Sequence, residues 1–190
     1  MKPMTRSLSA LAASFVAGCA GPTLDAQWRD PQLTANYLRG ARVLVVCDAA
    51  EVVLQRICED ELARGLKARG AVPVIGAAQV DAAAARAAGA KAVFNVGVNA
   101  ASQAVSPGFQ IGFGLGSFGS NVGGGVGVSA PVGGGKVTSG YAANGRLTDA
   151  ASSRLMWTAR AAATPSSDVN AQLADLAKAL LDAADKAGLF

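Results

Sequence analysis

The run Ala41-Arg-Val-Leu-Val-Val-Cys47 constrains the fold most. Its β-branched and apolar residues follow one another without alternation, the pattern of a strand buried on both faces of a sheet. Asp48 ends it. From Glu51 to Arg69 the residues Leu54, Ile57, Cys58, Leu62, Gly65 and Leu66 then recur at helical spacing, with Arg56, Glu59, Asp60, Arg64 and Lys67 on the other face. Asp60 and Arg64 have a favourable four-residue charge spacing, and Gly70 supplies a stop. A second strand is predicted at Val72-Pro-Val-Ile75, where Pro73 cannot donate to a ladder and so marks a strand edge or start. Asp81 to Ala88 reads as an alanine-rich helix closed by Gly89, and Lys91 to Val98 as a third strand. Strand, helix, strand, helix, strand is the signature of a right-handed parallel α/β half-sheet.

The pattern changes after Val98. No charged residue lies between Lys91 and Lys136, and glycine crowds residues 108–135. Gly108, Gly112 and Gly116 stand four apart, as on a close-packing membrane helix. Phe113 and Leu115 nevertheless alternate with Gly112, Gly114 and Gly116, and glycine disfavours a helix by about 1 kcal/mol per residue. Period two predicts a β-hairpin, with arms Phe109 to Phe118 and Val122 to Val132 turning near Ser120-Asn121; a loop is the alternative. Two further strands, Gly140 to Thr148 and Arg154 to Ala163, flank a turn led by Asp149. Leu155 and Trp157 fall on one face of the second strand, with Arg154 and Arg160 on the other. A helix from Asp168 to Ala187 completes the chain, with Val169, Leu173, Leu176, Leu180 and Ala184 as its apolar stripe. The expected architecture is α/β: a three-layer-like mixed sheet with an N-terminal βαβαβ half, a Gly-rich hairpin or loop, a β-hairpin and a C-terminal helix.

The first residues carry an address. Lys2 and Arg6 precede a short apolar core from Leu8 to Val16, which is well below the roughly 20 residues a spanning helix needs. Small residues Ala17-Gly18 then precede Cys19, so residues 1–18 resemble the signal peptide and lipobox of a bacterial lipoprotein. That resemblance implies cleavage before Cys19, acylation there with diacylglycerol and a further fatty acid such as palmitate, and membrane attachment through lipid. Ala20 in place of Asp after the cysteine implies sorting to the outer membrane. Residues 19–32, with Gly21 and Pro22, read as an irregular tether, and 33–190 as a single α/β domain with a Gly-rich insertion at 108–135. Trp28-Arg-Asp-Pro31 marks the first docked segment.

Several functions are set aside by the residues. Without Lys2 and Arg6, the 17 basic and 13 acidic residues leave a charge of only about +2, with no polybasic run, so nucleic acid is not an expected partner. The chain has no histidine, which removes the commonest general base and the commonest metal ligand. No serine sits in a nucleophile elbow, and no catalysis, cofactor or metal is expected. Gly114-Leu-Gly116-Ser-Phe-Gly119 has the letters of a dinucleotide fingerprint, but Ser120-Asn-Val-Gly-Gly-Gly125 cannot open the required helix and no acidic ribose partner follows. Gly133-Gly-Gly-Lys136 lacks the hydroxyl residue and first glycine of a phosphate loop. Asp48, Glu51 and Asp149 are the carboxylates to inspect for a polar pocket, turn or cap roles being the alternative. Cys47 and Cys58 are either a disulfide, which the periplasm permits, or two buried thiols.

With these residues in view, the chain resembles a group of uncharacterised Gram-negative lipoproteins. The likeness rests on Trp28, Val43 to Val46, the helix Arg56-Ile-Cys-Glu-Asp-Glu-Leu62, the Gly-rich middle, Leu147 with Asp149, and Leu155 with Trp157. Such domains look similar to the N-terminal α/β domain of the Tol-system periplasmic protein and to the curli-secretion lipoprotein. The resemblance implies a lipid-anchored, periplasm-facing outer-membrane protein with a non-enzymatic role, its partners the membrane and an envelope protein. The alternative is an oligomeric secretion or transport component that inserts its Gly-rich hairpin into the outer membrane.

Overall fold

A computed structural model of the protein describes residues 21–76, 82–106, 110–112, 129–131 and 136–190. In chain order the elements are β1 (Thr23–Arg29), β2 (Arg42–Ala49), α1 (Val52–Ala68), β3 (Val72–Ile75), α2 (Ala82–Ala87), β4 (Ala92–Ser106), β5 (Gln110–Gly112), β6 (Ser129–Pro131), β7 (Lys136–Asp149), β8 (Leu155–Ala162) and α3 (Val169–Lys186). Six strands form one mixed sheet in the order β1-β8-β7-β4-β2-β3. The predicted parallel half is present: β2 lies between β3 and β4 and runs parallel to both. The other half is antiparallel.

The β2 run is enclosed on both faces, with Val43, Val45, Val46 and Cys47 fully buried. On one face Val43, Val45, Phe94, Val96, Leu147 and Trp157 pack under α1 and α3, whose Leu62, Leu66, Leu176 and Leu180 complete the main core. On the other face Leu44, with Val74 and Val93 beside it, meets Ala85 of α2. The sheet is therefore the middle of three layers near β2. Within the core, Trp157 and Phe94 meet edge to face with centroids 5.9 Å apart. Gly145 leaves the room for them.

Three local expectations are corrected. Residues 23–29, read as irregular tether, form edge strand β1, paired antiparallel with β8. All seven residues of β1 are exposed, so it carries no hydrophobic alternation, and its order comes from the free edge of β8. Glu59, assigned to the solvent face of α1, is only 2% exposed. Its carboxylate accepts hydrogen bonds from Gln55 Nε2 at 3.0 Å and Arg56 Nη1 at 2.8 Å, which lets it be enclosed. Arg64 pairs with Glu61 at 2.6 Å rather than with Asp60. The acidic start given to the second helix, Asp81, lies outside the described residues.

The helix ends follow local chemistry. Asp168 caps α3 by accepting from the Ala171 amide at 2.9 Å. Gly70 and Gly188, just past α1 and α3, have φ of 79° and 77°, the left-handed region that glycine adopts without a Cβ clash. Arg69 and Lys178 both pair with Asp182, which joins the C-terminal end of α1 to α3. The Lys178 hydrogen bond, ahead of Arg69, holds the Asp182 carboxyl below the ordinary carboxylate range.

A Cβ at Gly145 would lie 3.3 Å from each of Leu180 Cδ1, Phe94 Cε2 and Trp157 Cζ3. Gly145→Val adds two further carbons there, so overpacking is expected to cost about 1–3 kcal/mol, read as a lower urea midpoint at unchanged slope.

Candidate functional site

The β4–β7 pair continues well past the sheet. β2 accompanies β4 only as far as the Ala49↔Val98 pair, and β8 accompanies β7 only as far as Ala142↔Ala162. Beyond these, β4 and β7 pair with each other alone, up to Ser106↔Lys136. At about 3.3 Å per residue the β4 arm projects roughly 25 Å beyond its last β2 partner.

The register of this projection shares its symmetry with the β5–β6 pair. Every β4–β7 pair from Ala92↔Asp149 to Ala100↔Tyr141 is symmetric about the peptide between Ser120 and Asn121. A bulge between Ala100 and Ser102 displaces the next pairs by one residue. The β5–β6 pairs, Gln110↔Pro131 to Gly112↔Ser129, return to the original symmetry. These four strands thus share the axis that the sequence assigns to the hairpin turn. Residues 113–128, including the predicted turn, lie outside the described residues.

Strand direction places the start of the described chain at the same end. β8 runs toward Ala162, the level at which the ribbon leaves the sheet, and β1 begins there with Thr23 opposite Ala162. Cys19 itself lies outside the described residues, four positions before Thr23. A chain of that length spans at most about 14 Å.

Cys47 and Cys58 are joined as a disulfide, with Cα atoms 6.1 Å apart. The bond stitches the end of β2 to the second turn of α1 and fixes the connection between them. Both residues are enclosed, Cys58 at 4% exposure.

The three carboxylates do not converge. Asp48 stands opposite Gly97 toward the ribbon end, while Asp149 stands opposite Ala92 at the other end of β4. Glu51 precedes α1 and makes no side-chain cap bond. Asp149 organises its turn as the sequence predicts: Oδ1 accepts from the Ala151 amide at 3.1 Å, and from the Ser152 amide and hydroxyl at 2.7 Å each. Its Oδ2 accepts from the Tyr37 hydroxyl at 2.5 Å. Lys91 Nζ lies 4.1 Å from the Tyr37 ring centroid and donates to the Tyr37 carbonyl at 2.9 Å. Tyr37 was not singled out in the sequence, because its partners are more than 50 residues away.

The Tyr37 hydrogen bond is the main reason that the Asp149 carboxyl is held down to about 2, and the backbone and hydroxyl bonds of its turn add to the effect. Burial first, and the carboxylate second, push the Tyr37 phenol above its ordinary range. An open cleft of about 400 Å³ runs between Leu24 of β1 and the Lys178 and Asp182 side of α3, and none of the three inspected carboxylates lines it. Among the described residues, no helix is long and apolar enough to cross a membrane and no group of three or more His, Cys, Asp or Glu side chains could hold a metal.

No family model and no curated protein matches the sequence. Among solved structures the chain is similar to a PelC dodecamer from Paraburkholderia phytofirmans, at 14% identity and a TM-score of 0.48, over 84% of this chain and 97% of that one. It is also similar to lipoprotein GNA1162 from Neisseria meningitidis, at 15% identity and a TM-score of 0.45, over 77% and 99% of the two chains. TolB from Acinetobacter baumannii is a third, at 12% identity and a TM-score of 0.35, with 86% of this chain against 31% of that one. At these identities they assign no activity.

Two outcomes test the stabilising contacts of this region. Because the folded Asp149 pKa lies below its ordinary 3.8, its contribution is full above about pH 4 and is lost as pH falls toward about 2. Tyr37→Phe is therefore expected to flatten the acid limb of a stability–pH curve measured by urea unfolding. Replacing Cys47 and Cys58 together by alanine opens a short loop, and an expected loss of about 3 kcal/mol is read from the same unfolding curves at pH 7.

Proposed function

We propose that this is a lipid-anchored, non-enzymatic binding protein of the outer membrane, facing the periplasm, and that its ribbon is the working contact element. One observation carries the reading: the chain enters β1 at the sheet end from which the ribbon projects. A lipid on Cys19 would hold that end next to the bilayer and direct the ribbon toward the same membrane. The charge-free stretch from Lys91 to Lys136 supports this, since a segment working at a membrane gains from having no ions to desolvate. The near-neutral composition and lack of histidine favour attachment for positioning over chemistry.

A second reading is an oligomeric transport or secretion component that inserts the hairpin. The predicted arms Phe109 to Phe118 and Val122 to Val132 have the roughly ten residues that a transmembrane strand needs. In the first reading the envelope protein partner meets the ribbon at the membrane surface; in the second the ribbon's partner is a copy of itself.

Cells fed labelled palmitate are expected to label the wild-type protein, which sediments with outer membranes, and not Cys19→Ser. Persistence of the variant in the washed membrane fraction without label would overturn anchoring through this residue. The mass of the detergent-extracted protein by light scattering separates the two readings: a monomer removes the inserted assembly, and a closed oligomer removes the solitary binder.

A further inference from the structure

The large apolar side chains left exposed are unevenly placed. Val52 and Val53, at 71% and 58%, are the most exposed of them, and they are adjacent in the first turn of α1. They lie outside the buried stripe Leu54, Cys58, Leu62 and Leu66, so the core does not account for them. Because β2 runs toward the ribbon end and α1 begins just beyond Ala49, both valines stand at that end. Leu24, 45% exposed and opposite Ala161, stands at the same level on the far edge of the sheet. Trp28 and Ile75 lie at mid-sheet, and Val72 lies at the opposite end.

We infer that the ribbon end of the domain is a membrane-contact surface, in which Val52, Val53 and Leu24 enter the headgroup region of the leaflet that holds the anchor. The inference rests on the lipid-anchored reading above. The chain outside the structure says what covers the surface: Thr23 stands at this end, within about 14 Å of Cys19 along the chain, too short a reach to hold this end far from the acyl chains. Scattered exposed valines are ordinary, whereas adjacent ones beside a lipid anchor have an apolar phase within reach.

Charge narrows the lipid. The ionisable groups at this end are Asp48, Glu51 and Asp168, together with Arg160, which pairs with Asp25 at 3.4 Å; Arg56 stands one turn along α1, and the cleft beside Leu24 is lined by Asp175, Asp182, Lys178 and Lys186, with Lys178 paired to Asp182. Among the described residues the basic groups there are outnumbered by acidic ones, so nothing recruits anionic headgroups, and the contact is apolar and suits a zwitterionic leaflet.

The test uses the acylated protein extracted from the envelope and returned to phosphatidylcholine vesicles that contain a phosphatidylcholine with a photoreactive group at glycerol depth. Mass spectrometry then reads lipid adducts on tryptic peptides and acylation of Cys19. The expected result is labelling of peptide 43–56, which holds both valines, several-fold above peptide 70–86, which holds Val72 and Ile75. Val52→Asp combined with Val53→Asp is expected to lower the first signal several-fold at unchanged melting temperature, because acidic residues suit a helix's first turn. Equal labelling of the two peptides in an acylated, vesicle-bound protein overturns the surface and leaves the anchor. An unacylated Cys19 overturns the anchor and the surface with it.

Discussion

Backbone pairing along β4 is the interaction on which the rest of the molecule depends. On one side it receives β2 in parallel, and on the other β7 antiparallel, so it is the seam between a βαβ half and a meander. Its inward residues Ala92, Phe94, Val96 and Val98 supply the middle of the main core. The same strand then continues past the last residue that either neighbouring layer covers. A single ladder therefore both closes the domain and builds the part that leaves it. Parallel pairs need crossover helices, which α1 and α2 provide, while the antiparallel pair can run on for as long as its two arms find each other.

The segment between β1 and β2 is held by polar contacts as much as by Leu33 and Leu38. Asn36 and Leu38 donate to the carbonyls of Gly188 and Leu189, and Tyr37 reaches Asp149. The C-terminal residues Leu189 and Phe190 are themselves buried. The two ends of the domain thus brace each other across the base of the sheet, away from the ribbon. At the ribbon end the buried Gln172 of α3 plays the comparable part, donating to the Ser139 and Ser166 carbonyls at 3.0 and 2.9 Å and accepting from the Tyr141 amide at 3.3 Å, together with the Cys47–Cys58 bond and the cap at Asp168.

Elements with an internal period were legible in the residues. The unbroken β2 run, the α1 and α3 stripes and the Asp149 turn each carry their own local signal, and the structure has them where the residues place them. β1 was not legible, because a strand with no buried residue has no pattern beyond its partner's edge. The continuation of β4 through Asn99, Ala100 and Ala101 was missed for a related reason: beyond Val98 no core imposes alternation, and a bulge interrupts it. Glu59 shows the converse, a charged residue enclosed because its own helix satisfies it. Of the candidate site, the motif at Cys19 is a local signal and lies outside the described residues. The placement of the start of β1 at the ribbon end depends on β1 pairing with β8, a long-range choice that no window of sequence contains.

The enclosed disulfide has a consequence for the order of events in the life of the chain. Cys47 is fully buried and Cys58 nearly so, so neither sulfur meets an oxidant or a reductant once α1 has docked on β2. The bond must be made while that corner is still open, and it can be broken only by opening the corner again. Its state in the finished protein is therefore a record of the surroundings in which the chain first folded, kept for as long as the core stays shut.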